Sequence, residues 1–265
     1  MENQFHFKKK FGQNFLIDQN IVKKIVKSNP ILNNSLVIEI GPGDGRLTKE
    51  LCNSFDNVLS YEIDTEVKPY LEERLKDYNN YSIIFDDFLN RDLKNDIKDY
   101  KYQNLYVIAN LPYYITTPII EKLINSKLEF NFMTFMVQKE VGDRFSAEVG
   151  TKSYNSLTVY LNYYFDIKKQ FIVSRNSFIP KPNVDSVVIT LLKKETKLKV
   201  INEDLFFKLV RDSFRFKRKT LRNNLKEYDL IKVNEVLKTH NLDLSVRAEA
   251  LCLNIFCDIA NSLSI

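Results

Sequence analysis

The chain has 265 residues, of which 44% are hydrophobic and 28% charged, with a net charge of +5. At roughly 150 residues per domain this allows one large domain, or one large and one small, and the composition is that of a folded chain rather than a disordered one. No apolar run reaches the roughly 18 residues of a membrane span, the polar, basic N-terminus does not read as a secretory signal, and three cysteines without C-x-x-C spacing beside two histidines argue against a disulfide framework or a zinc site.

A reduced, cytoplasmic, metal-free protein without membrane association is therefore expected, and the absence of heptads suggests a monomer. Along the chain, Asp18 can cap a helix whose apolar positions are Ile21, Val22, Ile25 and Val26. Leu36–Ile40 is a β-rich run that reads as a buried strand and leads straight into Gly41-Pro42-Gly43-Asp44-Gly45. A helix is expected from Arg46 to about Cys52, a strand over Asn57–Glu62 and a helix over Glu66–Lys76. Tyr81–Phe85 and Leu105–Ala109 are the next strands, and Pro118 lies near the start of a helix reaching Asn125. Phe130–Val137 and Val184–Leu192 are the last strands. Strands alternating with helices imply βαβ units and a mostly parallel sheet, an α/β architecture. Beyond Lys197 the pattern is helical only, so an α/β domain over 1–195 and a small C-terminal helical domain over 196–265 are expected.

Charge is unevenly spread. Leu47–Tyr100 holds 13 acids against 7 bases, whereas Lys208–Lys226 holds 8 bases and the single acid Asp212. Lys8, Lys9 and Lys10 form a second basic cluster. Such asymmetry points to a polyanionic partner. On one continuous helix Arg211, Arg215, Arg218 and Arg222 would form a single stripe beside an apolar stripe of Val210, Phe214, Leu221 and Leu225. One face would pack, and the other would present guanidinium forks suited to phosphate oxygens.

Three of the six glycines are Gly41, Gly43 and Gly45, directly after the strand Leu36–Ile40. Ligands of open α/β sheets bind outside the C-terminal ends of the strands, where this loop would lie. Glu62, at the end of the following strand, is placed to hold both hydroxyls of a ribose. The loop is not a P-loop, and it has no third glycine where a dinucleotide fingerprint needs one. Glu39-Ile40-Gly41-Pro42-Gly43-Asp44-Gly45 instead resembles the first motif of S-adenosylmethionine (SAM) dependent methyltransferases. After the third strand either Asp86 or Asp87 could accept a hydrogen bond from an adenine amino group.

Asn110-Leu111-Pro112-Tyr113 follows the fourth strand, at the same sheet edge. An adenine amino nitrogen is a poor nucleophile because its lone pair is delocalised into the ring. Two acceptors aimed at its N–H groups would favour the pyramidal form that can attack. The Asn110 side-chain oxygen and the Leu111 carbonyl can supply them, Pro112 would fix the backbone direction, and Tyr113 would stack on the base.

With these motifs in place, the chain resembles the KsgA-type small-subunit ribosomal RNA adenine N6-dimethyltransferases nearly end to end. Phe11-Gly12-Gln13-Asn14-Phe15-Leu16 is similar to that family's G-Q-N-F-L segment, and Met136–Val141 to its strand–helix junction. Phe178-Ile179-Pro180-Lys181-Pro182 is similar to its F-x-P-x-P segment. The resemblance implies a Rossmann-like SAM-dependent methyltransferase domain and SAM contacts from Asn14, Leu16, Gly41, Gly43, Glu62, Asp87 and Asn110, which favours Asp87 over Asp86. It also implies that Phe178 stacks on the target adenine. The implied partner is small-subunit rRNA or an assembly intermediate, dimethylated at two adjacent adenosines of its 3′-terminal hairpin. The related Erm enzymes, which act on large-subunit rRNA, typically have Ile or Val where Leu111 stands. Arg218–Leu225 and Arg247-Ala248-Glu249 resemble the KsgA-type R-K-T-[IL]-R-N-x-L and R-A-E segments instead. Asn155 stands where the family usually has Gly, and Tyr114 where many members have Asn. A ribosome-assembly factor, acting by binding more than by chemistry, is the reading from a different class.

Overall fold

A computed structural model describes residues 14–112, 115–195 and 198–265. In chain order the elements are β1 (Phe15–Leu16), α1 (Gln19–Lys27), β2 (Ser35–Ile40), α2 (Arg46–Ser54), β3 (Asn57–Glu62), α3 (Lys68–Leu75), β4 (Tyr81–Phe85), α4 (Leu93–Ile97), β5 (Asn104–Asn110), α5 (Thr116–Asn125) and β6 (Phe132–Gln138). They continue with α6 (Lys139–Phe145), α7 (Ser156–Tyr164), β7 (Phe165–Val173), β8 (Phe178–Ile179), β9 (Ser186–Lys193), α8 (Glu203–Ser213), α9 (Leu221–Asn224), α10 (Leu230–Thr239) and α11 (Leu253–Ser264).

Seven strands form one sheet in the order β4-β3-β2-β5-β6-β9-β7. The pairings from β4 through β6 are parallel, and β9 joins β6 antiparallel. The mostly parallel sheet expected from the strand–helix alternation is thus present. The chain leaves β2 toward β3 and later returns on its other side as β5, so the strand order reverses between β2 and β5. Crevices at such switch points are where α/β sheets bind ligands. Ile40 is in register with Tyr61, and Asn110 with Met136, so the C-terminal strand ends form one rim.

Every residue of β2 is buried, as a central parallel strand covered on both faces requires. Val22, Ile25 and Val26 of α1 and Leu47 and Leu51 of α2 pack with Val37, Tyr106 and Ile108 of the sheet. Each such side chain contributes about 2 kcal/mol by leaving water. Asp18 caps α1 as expected, accepting the N–H groups of Asn20 at 2.9 Å and Ile21 at 3.4 Å. The helix expected over Glu66–Lys76 starts instead as a 3₁₀ turn at Thr65–Val67 before α3, with a proline in the first turn of α3. Between Val137 and Val184 the sequence reading offers only the strand–helix junction at Met136–Val141, where α6 begins, and the structure adds α7, β7 and β8. The two-residue strands β1 and β8 pair with each other, Leu16 opposite Phe178.

The chain divides into two compact units. The first runs to Gly142 and resumes over Lys168–Leu192; the second comprises Asp143–Ile167 and Lys193–Ile265. The last change of unit falls between Leu192 and Lys193, and the second unit also includes α7 from the middle of the chain. The reason is aromatic packing. Tyr154, Val159 and Tyr163 share a core with Phe206, Leu209 and Phe256, the Tyr163 and Phe206 rings lie 5.0 Å apart, and the Tyr163 hydroxyl donates to Glu203 at 2.8 Å. Asn155 has a local role that glycine could not fill. Its side chain accepts the N–H groups of Leu157 and Thr158, and the Thr158 hydroxyl accepts its own N–H at 3.2 Å, closing a capping box at the start of α7.

The single helix expected through Arg211, Arg215, Arg218 and Arg222 does not form. α8 ends at Ser213, residues 214–220 turn, and α9 begins at Leu221. The Asn224 amide donates to the Ser213 carbonyl at 2.7 Å and the Phe216 carbonyl at 3.3 Å, and its oxygen accepts the Phe216 N–H at 3.3 Å. The Leu221 and Arg222 N–H groups donate to Val246 and Leu244 carbonyls at 2.8 and 3.1 Å, partners a continuous helix would not leave them free to take. The apolar positions still face inward: Val210, Leu221 and Leu225 are buried and Phe214 packs against them. All four arginines are exposed, but on two helices and a turn rather than one stripe. Among the described residues no helix is long and apolar enough to cross a membrane, and no cluster of His, Cys, Asp and Glu could hold a metal ion.

Candidate active site

The rim at the C-terminal ends of β2, β3, β4 and β5 encloses a cavity in the first unit. Its lining includes Asn14, Leu16, Gly41, Gly43, Glu62, Asp87, Asn110, Leu111 and Pro112, which gathers the expected cofactor positions in one place. Tyr113 and the basic cluster Lys8–Lys10 lie outside the described residues.

The glycine loop is shaped by left-handed backbone. Gly41, Gly43 and Gly45 have φ values of 72°, 56° and 78°, a region that side-chain-bearing residues enter at a cost of about 1–2 kcal/mol each. At Gly43 space is also short, since an added Cβ would stand 2.5 Å from Cε1 of Phe15. At Gly41 it would meet no protein atom within 4 Å, so the room beside that residue is left open toward the cavity. Asp44 ties the loop down through Arg46 at 2.7 Å and Arg74 at 3.4 Å, and Arg46 also donates to the Ile17 carbonyl at 3.1 Å, holding the β1 segment over the loop.

Two carboxylates stand behind this loop. Glu62 accepts the N–H groups of Gly43 at 3.1 Å and Asp64 at 2.9 Å. Burial pushes its carboxyl above the ordinary range, against the pull of those two hydrogen bonds. Glu39, in β2, is completely buried. One oxygen accepts the hydroxyls of Thr48 at 2.7 Å and Ser60 at 2.8 Å, while Oε1 has no partner among the described residues. Burial pushes its carboxyl up to about 7 although both hydroxyls favour the ionised form. Sequence reasoning counted Glu39 in the glycine-loop motif but gave it no role in the site. The signal available was an acid inside an otherwise apolar strand, two residues before the first glycine.

The two aspartates after β4 differ in their partners. Arg91 reaches Asp86 at 3.1 Å and clamps Asp96, which also accepts the Tyr61 hydroxyl at 3.1 Å. That pairing holds the Asp86 carboxyl below the usual carboxylate range. Asp87 accepts the Leu89 N–H at 2.9 Å with Oδ1 alone among the described residues, so its second oxygen stays available. The apolar side of the cavity comes from Ile63, Phe88, Leu111 and Ile115. Ile63 and Phe88 are lining residues that the motifs did not reveal. Phe88 packs edge-on to Tyr61 at 5.2 Å, and Ile63 is exposed although it follows a buried strand.

Asn110 ends β5. Its amide nitrogen donates to the Asn14 carbonyl at 3.3 Å, which leaves the side-chain oxygen as the acceptor that bond does not use. The Leu111 N–H is held by the Met136 carbonyl at 3.1 Å, and no donor takes the Leu111 carbonyl among the described residues. The Pro112 carbonyl receives the Thr116 hydroxyl at 3.1 Å and the Ile115 N–H at 3.3 Å, locking the segment to the start of α5.

Comparisons with known proteins identify the family. The family description "Ribosomal RNA adenine dimethylase" matches residues 4–264. The chain belongs to the ribosomal RNA adenine dimethylase family. A relative from Streptococcus thermophilus named "Ribosomal RNA small subunit methyltransferase A" is 43% identical over 268 residues, covering 98% of this chain and 92% of the relative. One of the same name from Streptococcus pyogenes serotype M3 is 44% identical over 98% of this chain and 92% of its own length. Among solved structures, a dimethyladenosine transferase from Plasmodium falciparum superposes with a TM-score of 0.77 at 28% identity, covering 92% of this chain and 95% of that one. The 23S rRNA methyltransferase ErmE superposes with a TM-score of 0.76 at 23% identity, over 95% of this chain and 100% of that one, and shares the fold.

One position that the resemblance assigns to this adenine dimethylase's active site is placed elsewhere. Phe178, expected to stack on the target base, is only 2% exposed and does not line the cavity. Its pairing opposite Leu16 puts it in the core with Val22, Met136 and Val188. Leu16, its partner in that pairing, does line the cavity. A pattern of spaced prolines marks such a segment but does not say which way its aromatic ring turns.

Proposed function

We propose that the chain methylates the N6 amino groups of two adjacent adenosines in the 3′-terminal hairpin of small-subunit rRNA, twice each, with SAM as methyl donor. Family membership and relatives named for small-subunit methylation support the target. The pairing of Asn110 with Asn14 is the observation that carries the chemistry, because it uses the amide nitrogen and leaves the oxygen of this cavity-lining residue to accept.

The cavity residues fit the cofactor. Glu62 is held by two backbone N–H groups with lone pairs left for ribose hydroxyls, Asp87 keeps an oxygen for an amino group, and Gly41 leaves open room where a side chain would intrude. Asn14, Leu16 and Gly43 complete this wall. Glu39, whose Oε1 has no partner among the described residues, is a further polar residue of the cavity lining. When bound, SAM supplies an electrophilic methyl group on a sulfonium. Every other requirement falls on the chain. Asn110 Oδ1 and the Leu111 carbonyl accept the two N–H groups of the target amine and favour its pyramidal form. Tyr113 stacks on the base, which must leave its own stack to enter, and Pro112 keeps the acceptors in position. No general base is required, because the methylated nitrogen is cationic and loses its proton readily. Arg211, Arg215, Arg218 and Arg222 contact phosphates of the RNA.

The test offers labelled SAM to purified small and large ribosomal subunits that lack adenine dimethylation, with mass spectrometric mapping of RNA fragments. Dimethyladenosine in the small-subunit 3′ hairpin is expected. Label confined to the large subunit overturns the target, and label in neither subunit, with SAM bound, overturns the mature subunit as substrate.

A further inference from the structure

The second unit presents an aromatic ring where burial would be expected. Phe216, in the turn between α8 and α9, is 55% exposed. Its backbone is not loose. Asn224 pairs with both its N–H and its carbonyl, and the Lys219 N–H donates to the same carbonyl at 2.9 Å. A pinned backbone therefore holds a large apolar side chain out in water, which forgoes the gain of burying it. The surroundings are cationic: Arg215, Lys217, Arg218, Lys219 and Arg222 are all exposed. The Arg215 guanidinium lies 5.5 Å from the Phe216 ring centroid, a cation–π contact that biases the ring's orientation. Asp212, the one acid in Lys208–Lys226, is engaged by the Tyr228 hydroxyl at 2.6 Å and Lys208 at 3.2 Å.

We propose that Phe216 is a nucleobase-stacking residue of the second unit, an unpaired RNA base lying on its exposed ring while the neighbouring cations hold the flanking phosphates. This rests on the reading that the substrate is RNA and adds a second base-recognition point outside the methyl-transfer cavity. Cations alone would serve any polyanion. A half-exposed aromatic ring among them adds a surface that unpaired bases use, because each base has a π-face to stack and a duplex hides it. An acidic peptide would satisfy the charges and leave the ring without a partner.

The chain contains no Trp, so Phe216→Trp introduces a lone fluorescent reporter at the proposed contact. Its emission should be quenched by an RNA hairpin with an unpaired loop, and not by a blunt duplex of equal length or by heparin, a polyanion without bases. Phe216→Ala should bind the loop RNA about tenfold more weakly, as expected when one base–aromatic stack is removed. The slope of log K against log salt should be unchanged because every cation that faces a phosphate stays in place, and Phe216→Tyr should restore affinity. Equal quenching by loop, duplex and heparin overturns the proposal, as does wild-type affinity in Phe216→Ala. If the wild type methylates small subunits while the reporter is silent, only the stacking role fails. If the wild type neither binds nor methylates RNA, the substrate reading fails with it.

Discussion

Replacing Glu39 by Gln tests how the buried carboxyl behind the glycine loop is held. Glu39 is fully buried, and its carboxyl is pushed from 4.5 to about 7, burial being the largest cause. Below pH 4.5 the group is neutral in the folded and unfolded chains alike. Between 4.5 and about 7 the unfolded chain loses its proton while the folded chain keeps it, so stability falls as pH rises. Above 7 both forms are ionised and the penalty is complete. At about 1.4 kcal/mol per pH unit, the gap amounts to about 3 kcal/mol. Glutamine copies the neutral acid, since its oxygen can accept the Thr48 and Ser60 hydroxyls and its NH₂ takes the place of Oε1. Urea denaturation of both proteins at pH 4.5, 6 and 8, followed by circular dichroism, measures the difference. The stability of Glu39→Gln relative to wild type should rise by about 3 kcal/mol from the lowest to the highest pH. Other titrating groups largely cancel in that difference. Parallel pH profiles for the two proteins would refute the reasoning.

Three further outcomes follow from the site and the basic surface. Asn110→Ala should keep the circular dichroism spectrum and SAM-independent stability of wild type but lose methyl transfer by about 10²-fold or more, as when a single aligned polar group is removed from a reacting centre; ordinary turnover would sink its catalytic role. Gly43→Ala places a Cβ at φ 56° and 2.5 Å from Phe15, so calorimetry should show about 1–3 kcal/mol of destabilisation and SAM should bind more weakly. Replacing Arg211, Arg215, Arg218 and Arg222 together by Ala should lower the salt slope of RNA binding by about one for each phosphate no longer neutralised; an unchanged slope would make these side chains solvated surface only.

The sequence by itself determined the elements whose cause is local. β2, β3 and β4 are short apolar runs of β-formers ended by turn residues, and they appear within a residue of where they are expected. Asp18 announces α1 because a cap acts on N–H groups two and three residues away. Gly41, Glu62, Asn110 and the Asp86–Asp87 pair were legible as one site because parallel strands end on the same sheet edge, so loops far apart in the chain must meet there, while the choice of Asp87 came from the family resemblance.

What only the tertiary structure decided depends on partners remote in sequence. The β1–β8 pairing joins residues more than a hundred positions apart and sets Phe178 opposite Leu16, in the core they share. α7 joins the second unit because Tyr163 finds Phe206 and Glu203, which no pattern within α7 discloses. The arginine series has helical spacing, yet Asn224 and the Val246 and Leu244 carbonyls capture the backbone where that helix would continue. Spacing states which residues a regular element would align, but whether the element continues depends on competing hydrogen-bond partners that only the folded chain brings near.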